Sequence, residues 1–276
     1  MLRLFLLAIA APVFALAALV ARADPVPSLW DPALHLDTPD LTGLKAIRFL
    51  TADDYPPLDF ALPDGSLAGF NVEIARAVCE QLRLPCTIQA RRWDTLTDAL
   101  ETGKGDAMIA SMRATPALRE KLAFTHPYYL TPARFAARKD FPQGEIDARS
   151  LDGKTVGVVK DSAHERFLVK FFPKTKLKPY ADFAALHRGL SAKEIDLAFA
   201  DGVTLAIWLD GEEAGGCCAF RGGPFLESRY FGEGVSIAVR KDDVALRRAL
   251  DYGLAQVWES GKYAEIFRKY FPLSFY

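Results

Sequence analysis

Apolar and polar positions fall into short runs whose period alternates between that of a strand and that of a helix. "AIRFLTA" (46–52) reads as a strand, "GFNVEIARAVCEQL" (69–82) as an amphipathic helix and "CTIQARR" (86–92) as a strand. "WDTLTDALETG" (93–103) reads as a helix and "DAMIAS" (106–111) as a strand. A second series follows "YYLTPARFAARKD": strand 154–160, helix 162–172, short strand 177–180, helix 182–193, strand 195–200 and helix 202–209. "GVSIAVRKDD" (234–243) returns to strand, and two helices, 244–261 and 262–271, close the chain. Strands alternating with helices predict an α/β protein with mainly parallel sheets. "GKGDAMIA" and "AKEIDLAFA" end the two series alike, a weak internal similarity consistent with two like-folded lobes. Ligands of open α/β sheets bind beyond the carboxyl ends of the strands, so two facing lobes predict a cleft and a hinge.

The amino terminus breaks this rhythm. "MLRLFLLAIAAPVFALAALVARA" has a basic start at Arg3, an apolar run and Ala21-Arg22-Ala23 as a small-x-small cleavage site. Pro12 inside the run and the polar, Pro-bearing sequence after it favour a cleaved signal peptide, residues 1–23, over a membrane anchor. Residues 24–44 hold four prolines without clear periodicity and read as an N-terminal arm. Loss of Arg3 and Arg22 leaves 32 basic and 35 acidic residues, a net charge of −3 with His neutral. That balance offers no polycationic face, and no basic run is interleaved with aromatics, so nucleic acid is not an expected partner.

Export to an oxidising compartment makes the four cysteines informative. Cys79 lies near the end of a helix and Cys86 opens the next strand, a turn that favours a disulfide over two buried thiols. Cys217 and Cys218 are adjacent in "GGCCAFRGG", where bonding closes a strained ring, and their state is left open. No His pairs with a Cys at ligand spacing, so no metal is expected. Nor is a cofactor expected. Gly153-Lys154-Thr155 lacks the upstream glycine of a Walker loop, since Ala148 holds that place, and Gly232-Glu233-Gly234 stops short of a dinucleotide fingerprint. G-x-S-x-G and H-E-x-x-H do not occur.

"DYPPLDFALPDGSLAGFNVEIARAVCEQL", "WDTLTDALETGKGDAMIAS", "ATP…FTHPYY", "LDGKTVGVVKDSAHERFL", "IDLAFAD" and "YFGEGVSIAVRKDD…SGKYAEIFRKYF" occur in that order. In order and interval, from Ala46 to about Tyr276, they resemble the bacterial extracellular solute-binding proteins of family 3, which serve polar amino-acid ABC transporters. The Cys79–Cys86 spacing and the "RKYFPLSFY" ending are similar to the lysine/arginine/ornithine- and histidine-binding branch. The resemblance implies a two-lobed periplasmic binding protein (type II) clamshell. Lobe 1 would be 45–129 plus 235–276, lobe 2 134–229, and the hinge 130–133 and 230–234. It further implies a monomer in the periplasm that closes on a small amino-acid-like ligand and presents it to an inner-membrane ABC permease.

The same resemblance supplies a candidate ligand set. Tyr55 matches the family's aromatic beside the ligand, held by Pro56-Pro57 at a strand's end. Trp93 matches an apolar wall, with a lobe-core role as its competitor. Asp201 matches the carboxylate that takes the ligand's ammonium, and Asp before a helix also serves as an N-cap. Ser111 matches a hydroxyl for the same ammonium, and Met112 accompanies it. Ser162 and Ala163 fall where backbone N–H groups meet the ligand carboxylate at a helix start, with Asp161 replacing the usual glycine.

One position departs from the pattern. Thr115 and Pro116 form an ordinary helix start, but the carboxylate-binding arginine that follows three residues later in the family is Leu118 here. Arg119 comes one residue on, about 100° around the helix, and is expected to face solvent or a neighbouring carboxylate. Arg113 stands where the family has Ser or Thr. Three readings follow: Arg113 supplies the missing guanidinium, Arg119 reaches in through a shifted helix, or Leu118 lines an altered pocket. The first is favoured because a guanidinium in a cleft needs a partner. Two other roles on this fold are weighed: a cyclohexadienyl (arogenate/prephenate) dehydratase-like enzyme, with His126, Asp161, His164 and Lys160 as candidate acids, and a sensory or accessory clamshell.

Overall fold

The computed structural model describes Val26 and residues 36–142 and 144–276. The expected signal peptide and most of the arm lie outside the described residues. Five strands form the first sheet: β1 (Ile47–Thr51), β5 (Cys86–Ala90), β6 (Ala107–Met108), β7 (Leu122–Phe124) and β13 (Ala238–Arg240), in the order β5-β1-β6-β13-β7. β1 runs parallel to β5 and β6, whereas β13 is antiparallel to β6 and β7. The second sheet repeats the plan in the order β10-β9-β11-β8-β12. Its strands are β8 (Ala133–Arg138), β9 (Thr155–Val159), β10 (Lys176–Tyr180), β11 (Leu197–Asp201) and β12 (Cys218–Phe225). β9, β10 and β11 are parallel, and β8 is antiparallel to β11 and β12. The α/β class with parallel-containing sheets therefore stands, each sheet being finished by antiparallel strands where the chain crosses between them.

Three short strands precede the first helix: β2 (Asp54–Tyr55), β3 (Asp59–Ala61) and β4 (Leu67–Ala68). This meander gave no sequence signal, because strands this short, in a Pro-Pro turn, carry no readable period. It is fastened beneath α1 (Phe70–Leu82) by Gly69, at φ +126°, where a Cβ would stand 2.3 Å from the Leu58 carbonyl oxygen. Only glycine permits both the backbone angle and the approach. α1 packs on α8 (Val244–Glu259) and α9 (Lys262–Tyr270) over the first sheet, with Phe70 ringed by Tyr128, Tyr129, Tyr263, Phe267 and Phe271. α2 (Leu96–Glu101) covers the other face. On the second sheet α4 (Ala163–Phe171) buries Phe167 and Leu168 against Phe135 and Phe199, while α5 (Phe183–Ser191) and α6 (Gly202–Asp210) cover the opposite side. Val203 and Ala206 of α6 also join the core of the first sheet, beside Phe271 and Phe275. α3 (Pro116–Lys121) and α7 (Ser228–Phe231) are short helices next to the crossings.

Cys79 and Cys86 are joined, closing the α1–β5 turn as expected. Cys217 and Cys218 are joined as well, which answers the question their adjacency left open. The described residues contain no free cysteine. In the chain-entropy account a crosslink spanning so short a loop stabilises by about 2–3 kcal/mol. Replacing Cys79 and Cys86 together by alanine is therefore expected to lower the unfolding free energy by that amount in urea titrations; a change below about 0.5 kcal/mol would contradict it.

A polar chain runs through the apolar core of the first sheet, behind the parallel-strand ends. Tyr263 donates to the Tyr128 carbonyl, Tyr128 donates to Asn71 Oδ1, and Asn71 Nδ2 donates to Asp59 and, at 2.8 Å, to Ser111 Oγ. Burial raises the Asp59 carboxyl to about 7, a rise opposed by the Asn71 bond and assisted by Asp54. With the folded value above the unfolded one, Asp59's contribution is fully present below about pH 4 and is lost as pH rises through about 7. Asp59→Asn keeps the shape and the Asn71 bond but cannot ionise. Relative to the parent it should gain roughly 2–4 kcal/mol between pH 4 and pH 8 in chemical denaturation. A pH-independent difference would refute the burial of an ionising group here.

Candidate functional site

Every parallel strand of the second sheet, and two of the first, delivers a side chain to one hollow as it ends. After β1 comes Tyr55, after β6 come Ser111 and Arg113, after β9 His164 and after β10 Phe183, while Asp201 ends β11. Parallel strands direct their following loops to the same edge, and here the edges of two sheets meet. Tyr129, Thr131 and Val235, from the crossing segments, fill the space between. With Leu58, Val203 and Thr204 they enclose about 250 Å³. Tyr55, just over half exposed, and Phe183 present aromatic rings to it.

Arg113 is the cation of this cleft. Its backbone bridges Val235 in antiparallel fashion, and its side chain lines the cleft while remaining about half exposed. Nη2 donates to Thr131 Oγ1 at 2.9 Å and stands 4.0 Å from Asp201 Oδ2, too long for a direct hydrogen bond. Asp201 divides its oxygens. Oδ1 caps α6 by accepting the Thr204 N–H at 3.0 Å and the Thr204 hydroxyl at 3.2 Å, and Oδ2 faces Arg113. Burial raises the Asp201 carboxyl, an effect opposed by the Thr204 N–H and by Arg113. Ser111, at φ +58°, accepts from Asn71 and interacts with the buried Tyr129 phenol. His164 stacks on Phe231 with ring centres 5.2 Å apart; burial, with Arg113 adding to it, lowers its pKa to about 4, so the ring is neutral at pH 7.

The remaining candidates lie around this cleft. Met112 is buried beneath it among Leu96, Leu100 and Phe124, and Leu118 packs against the same cluster. Trp93 starts a 3-10 turn before α2 and is about half exposed, outside the cleft lining. Ser162 caps α4 through a bond from the Glu165 N–H, and Ala163 is that helix's first residue; the next one, His164, is the one that lines the cleft. Arg119 is turned away, donating to Glu233 Oε2 at 3.0 Å over the Phe124 ring. Tyr129, Thr131 and Val235 carry no sequence signal for the site, because only the crossing of the chain between sheets brings them to the strand ends, and Phe183, the first residue of α5, reads as an ordinary apolar helix position.

A larger hollow, about 580 Å³, lies between residues 36–40 and α8. Its principal charges are matched internally: Arg247 binds Asp251, which also accepts from the His126 backbone N–H and faces the His126 ring. None of the sequence-derived ligand residues lines it, and no parallel strand ends there, so convergence rather than volume decides for the cleft. This position also removes His126 from the candidate acids of a dehydratase. Asp161 and Lys160 are absent from the cleft lining too, so His164 is the one member of that set found there.

Comparison with known proteins agrees with this architecture. The L-arginine-binding protein of Pseudomonas aeruginosa is 35% identical over 243 residues, covering 87% of this chain and 93% of its own. The lysine/arginine/ornithine-binding periplasmic protein of Escherichia coli is 29% identical over 235 residues, covering 84% and 90%. Among solved structures, the L-cystine solute receptor of Neisseria gonorrhoeae in its unliganded open conformation superposes with a TM-score of 0.72. At 18% identity, covering 82% of this chain and 92% of that one, it speaks to the fold alone. These relatives are binding proteins, and the dehydratase alternative finds no support among them. The sequence profile of the bacterial extracellular solute-binding proteins, family 3, matches residues 47–273, and the chain belongs to that family.

Proposed function

We propose that this protein captures a small, polar, amino-acid-like ligand between its two sheets and delivers it to an inner-membrane ABC permease. One observation carries the reading: a guanidinium from one sheet and a carboxylate from the other face each other across the cleft without a direct hydrogen bond. A zwitterion's carboxylate and ammonium complement that pair, with Arg113 as a planar fork for the first and Asp201 Oδ2 as acceptor for the second. Ser111 and the N–H groups of Ser162 and Ala163 are assigned supporting roles. Tyr55 is the aromatic wall.

The mechanical parts follow the same reading. Lobe 1 comprises 45–129 and 235–276, lobe 2 comprises 134–229, and 130–133 with 230–234 form the hinge. Closure desolvates the charged pair and the ligand together, which strengthens their attraction. The chain acts as a monomer in the periplasm after cleavage behind Ala23.

Ligand binding to the folded state alone stabilises it by about 2.7 kcal/mol at one hundred times the dissociation constant, some 5–10 °C for a chain of this size. A thermal-shift panel of amino acids, their amides and dicarboxylates on the exported protein should reveal such a shift for at least one amino acid. A flat panel would reject the reading. In calorimetric titration with that ligand, Arg113→Ala should weaken binding about 100-fold or more, because Asp201 then faces the ligand carboxylate uncompensated. Arg119→Ala, which removes only an exposed ion pair, should change affinity less than about threefold. Equal effects would rule out the assignment of Arg113.

A further inference from the structure

The charges lining the cleft define what kind of side chain the ligand carries. Among the described lining residues Arg113 is the one permanent cation and Asp201 the one carboxylate. A bound amino acid uses both through its own carboxylate and ammonium. What remains to meet its side chain is Tyr55, Leu58, Phe183, Val203 and hydroxyls, together with a neutral imidazole at His164.

Acids elsewhere do not change this inventory. Asp59 is fully buried behind Ser111, with both oxygens on Asn71 Nδ2. Asp53 and Asp54 are exposed beside Tyr55 but absent from the lining, and the position three before Tyr55 is the buried Ala52. Asp161 is exposed and outside the lining as well. A lysine or arginine ligand would therefore bring a second cation into the cleft beside Arg113 and desolvate it on closure with no counter-charge. Such a group is disfavoured strongly. A glutamate or aspartate side chain would instead compete with the ligand's own carboxylate for Arg113 and face Asp201.

We infer that the cleft selects α-amino acids with an uncharged side chain and rejects cationic and anionic ones. This rests on the amino-acid-binding reading above and departs from the cationic ligands named for the compared relatives. Citrulline tests it sharply, because it differs from arginine by a neutral urea group in place of the guanidinium.

The experiment is isothermal titration of the exported protein with glutamine, citrulline, leucine, phenylalanine, arginine, lysine and glutamate. Expected is an uncharged member bound at least about 100-fold tighter than arginine, lysine or glutamate, with citrulline ahead of arginine. Arginine, lysine or glutamate bound tightest would overturn the inference while leaving an amino-acid-binding protein. No heat with any amino acid would overturn the underlying reading and the inference with it. Phe183→Glu supplies the missing carboxylate at the first position of α5, where an acidic residue suits the helix terminus. With unchanged circular dichroism, this variant should bind lysine at least tenfold tighter than the parent does. An unchanged or weakened lysine affinity would count against charge inventory as the selector.

Discussion

Val235 is the point on which the site depends. It is buried, and its backbone bridges Arg113 on one side and Tyr129 on the other. The Tyr128 N–H donates to its carbonyl and its own N–H donates to the Tyr129 carbonyl. The chain leaves the first sheet just past Tyr129 and returns to it at Val235, so these pairings clasp the two crossings to each other and to the loop bearing Arg113. The clasp tolerates little change in its neighbour. Gly234 sits at φ +106°, and a Cβ there would meet Pro127 and Leu130 at 2.7 Å. From the other end, Tyr276 braces the first crossing, accepting the Leu130 N–H and donating to its carbonyl. Backbone hydrogen bonds, not side-chain fit, thus set where the guanidinium stands. The Asp201 carboxylate is set independently, as an N-cap at the end of β11, while the Gly202 N–H donates to the Pro132 carbonyl beside the first crossing.

That division of labour explains why the pair across the cleft is held apart. Arg113 is committed to Thr131 and Asp201 to Thr204, so each has a partner without the other. A buried charge with no partner costs several kcal/mol, and these side contacts keep both groups satisfied while leaving one face of each available. His164, stacked on Phe231, lines the cleft beside Asp201, which is largely buried while Arg113 stays about half exposed. The cleft is prepared for charge without being filled by it.

How much of this the sequence disclosed follows from where each signal resides. Long amphipathic helices and their preceding strands are local patterns, and α1, α4, α5, α6, α8 and α9 lie within about a residue or two of their predicted spans. Strands made by tertiary pairing were harder. "DAMIAS" keeps only Ala107–Met108 as strand and "GVSIAVRKDD" only Ala238–Arg240, because the segment leaving the first and the segment entering the second, at Val235, turn along the cleft. β8 and β12 carry Arg134 and Arg221 at buried positions, which breaks the apolar run a sheet interior usually shows. Tyr55, Ser111, Arg113 and Asp201, picked out through the family resemblance, reach one cleft because each lies at or just beyond the end of a strand. Thr131 and Val235 were not legible, since their position depends on two chain crossings that no local pattern encodes.

The displacement of one arginine by one residue then has a physical reading of its own. Position 118 faces the cluster of Leu96, Leu100 and Phe124, and a leucine there extends that apolar surface. A guanidinium at 118 would have had to leave that surface for the cleft, into which Arg113 already projects. Two guanidiniums sharing one carboxylate repel each other and leave one charge unmatched. At 119 the arginine instead reaches Glu233, in the second crossing, and lies over Phe124. On the proposed ligand role of Arg113, Leu118→Arg should weaken ligand binding in calorimetric titration, and less so in an Arg113→Ala background. That coupling is a property of the pair, and its sign distinguishes a relocated ligand contact from two unrelated substitutions.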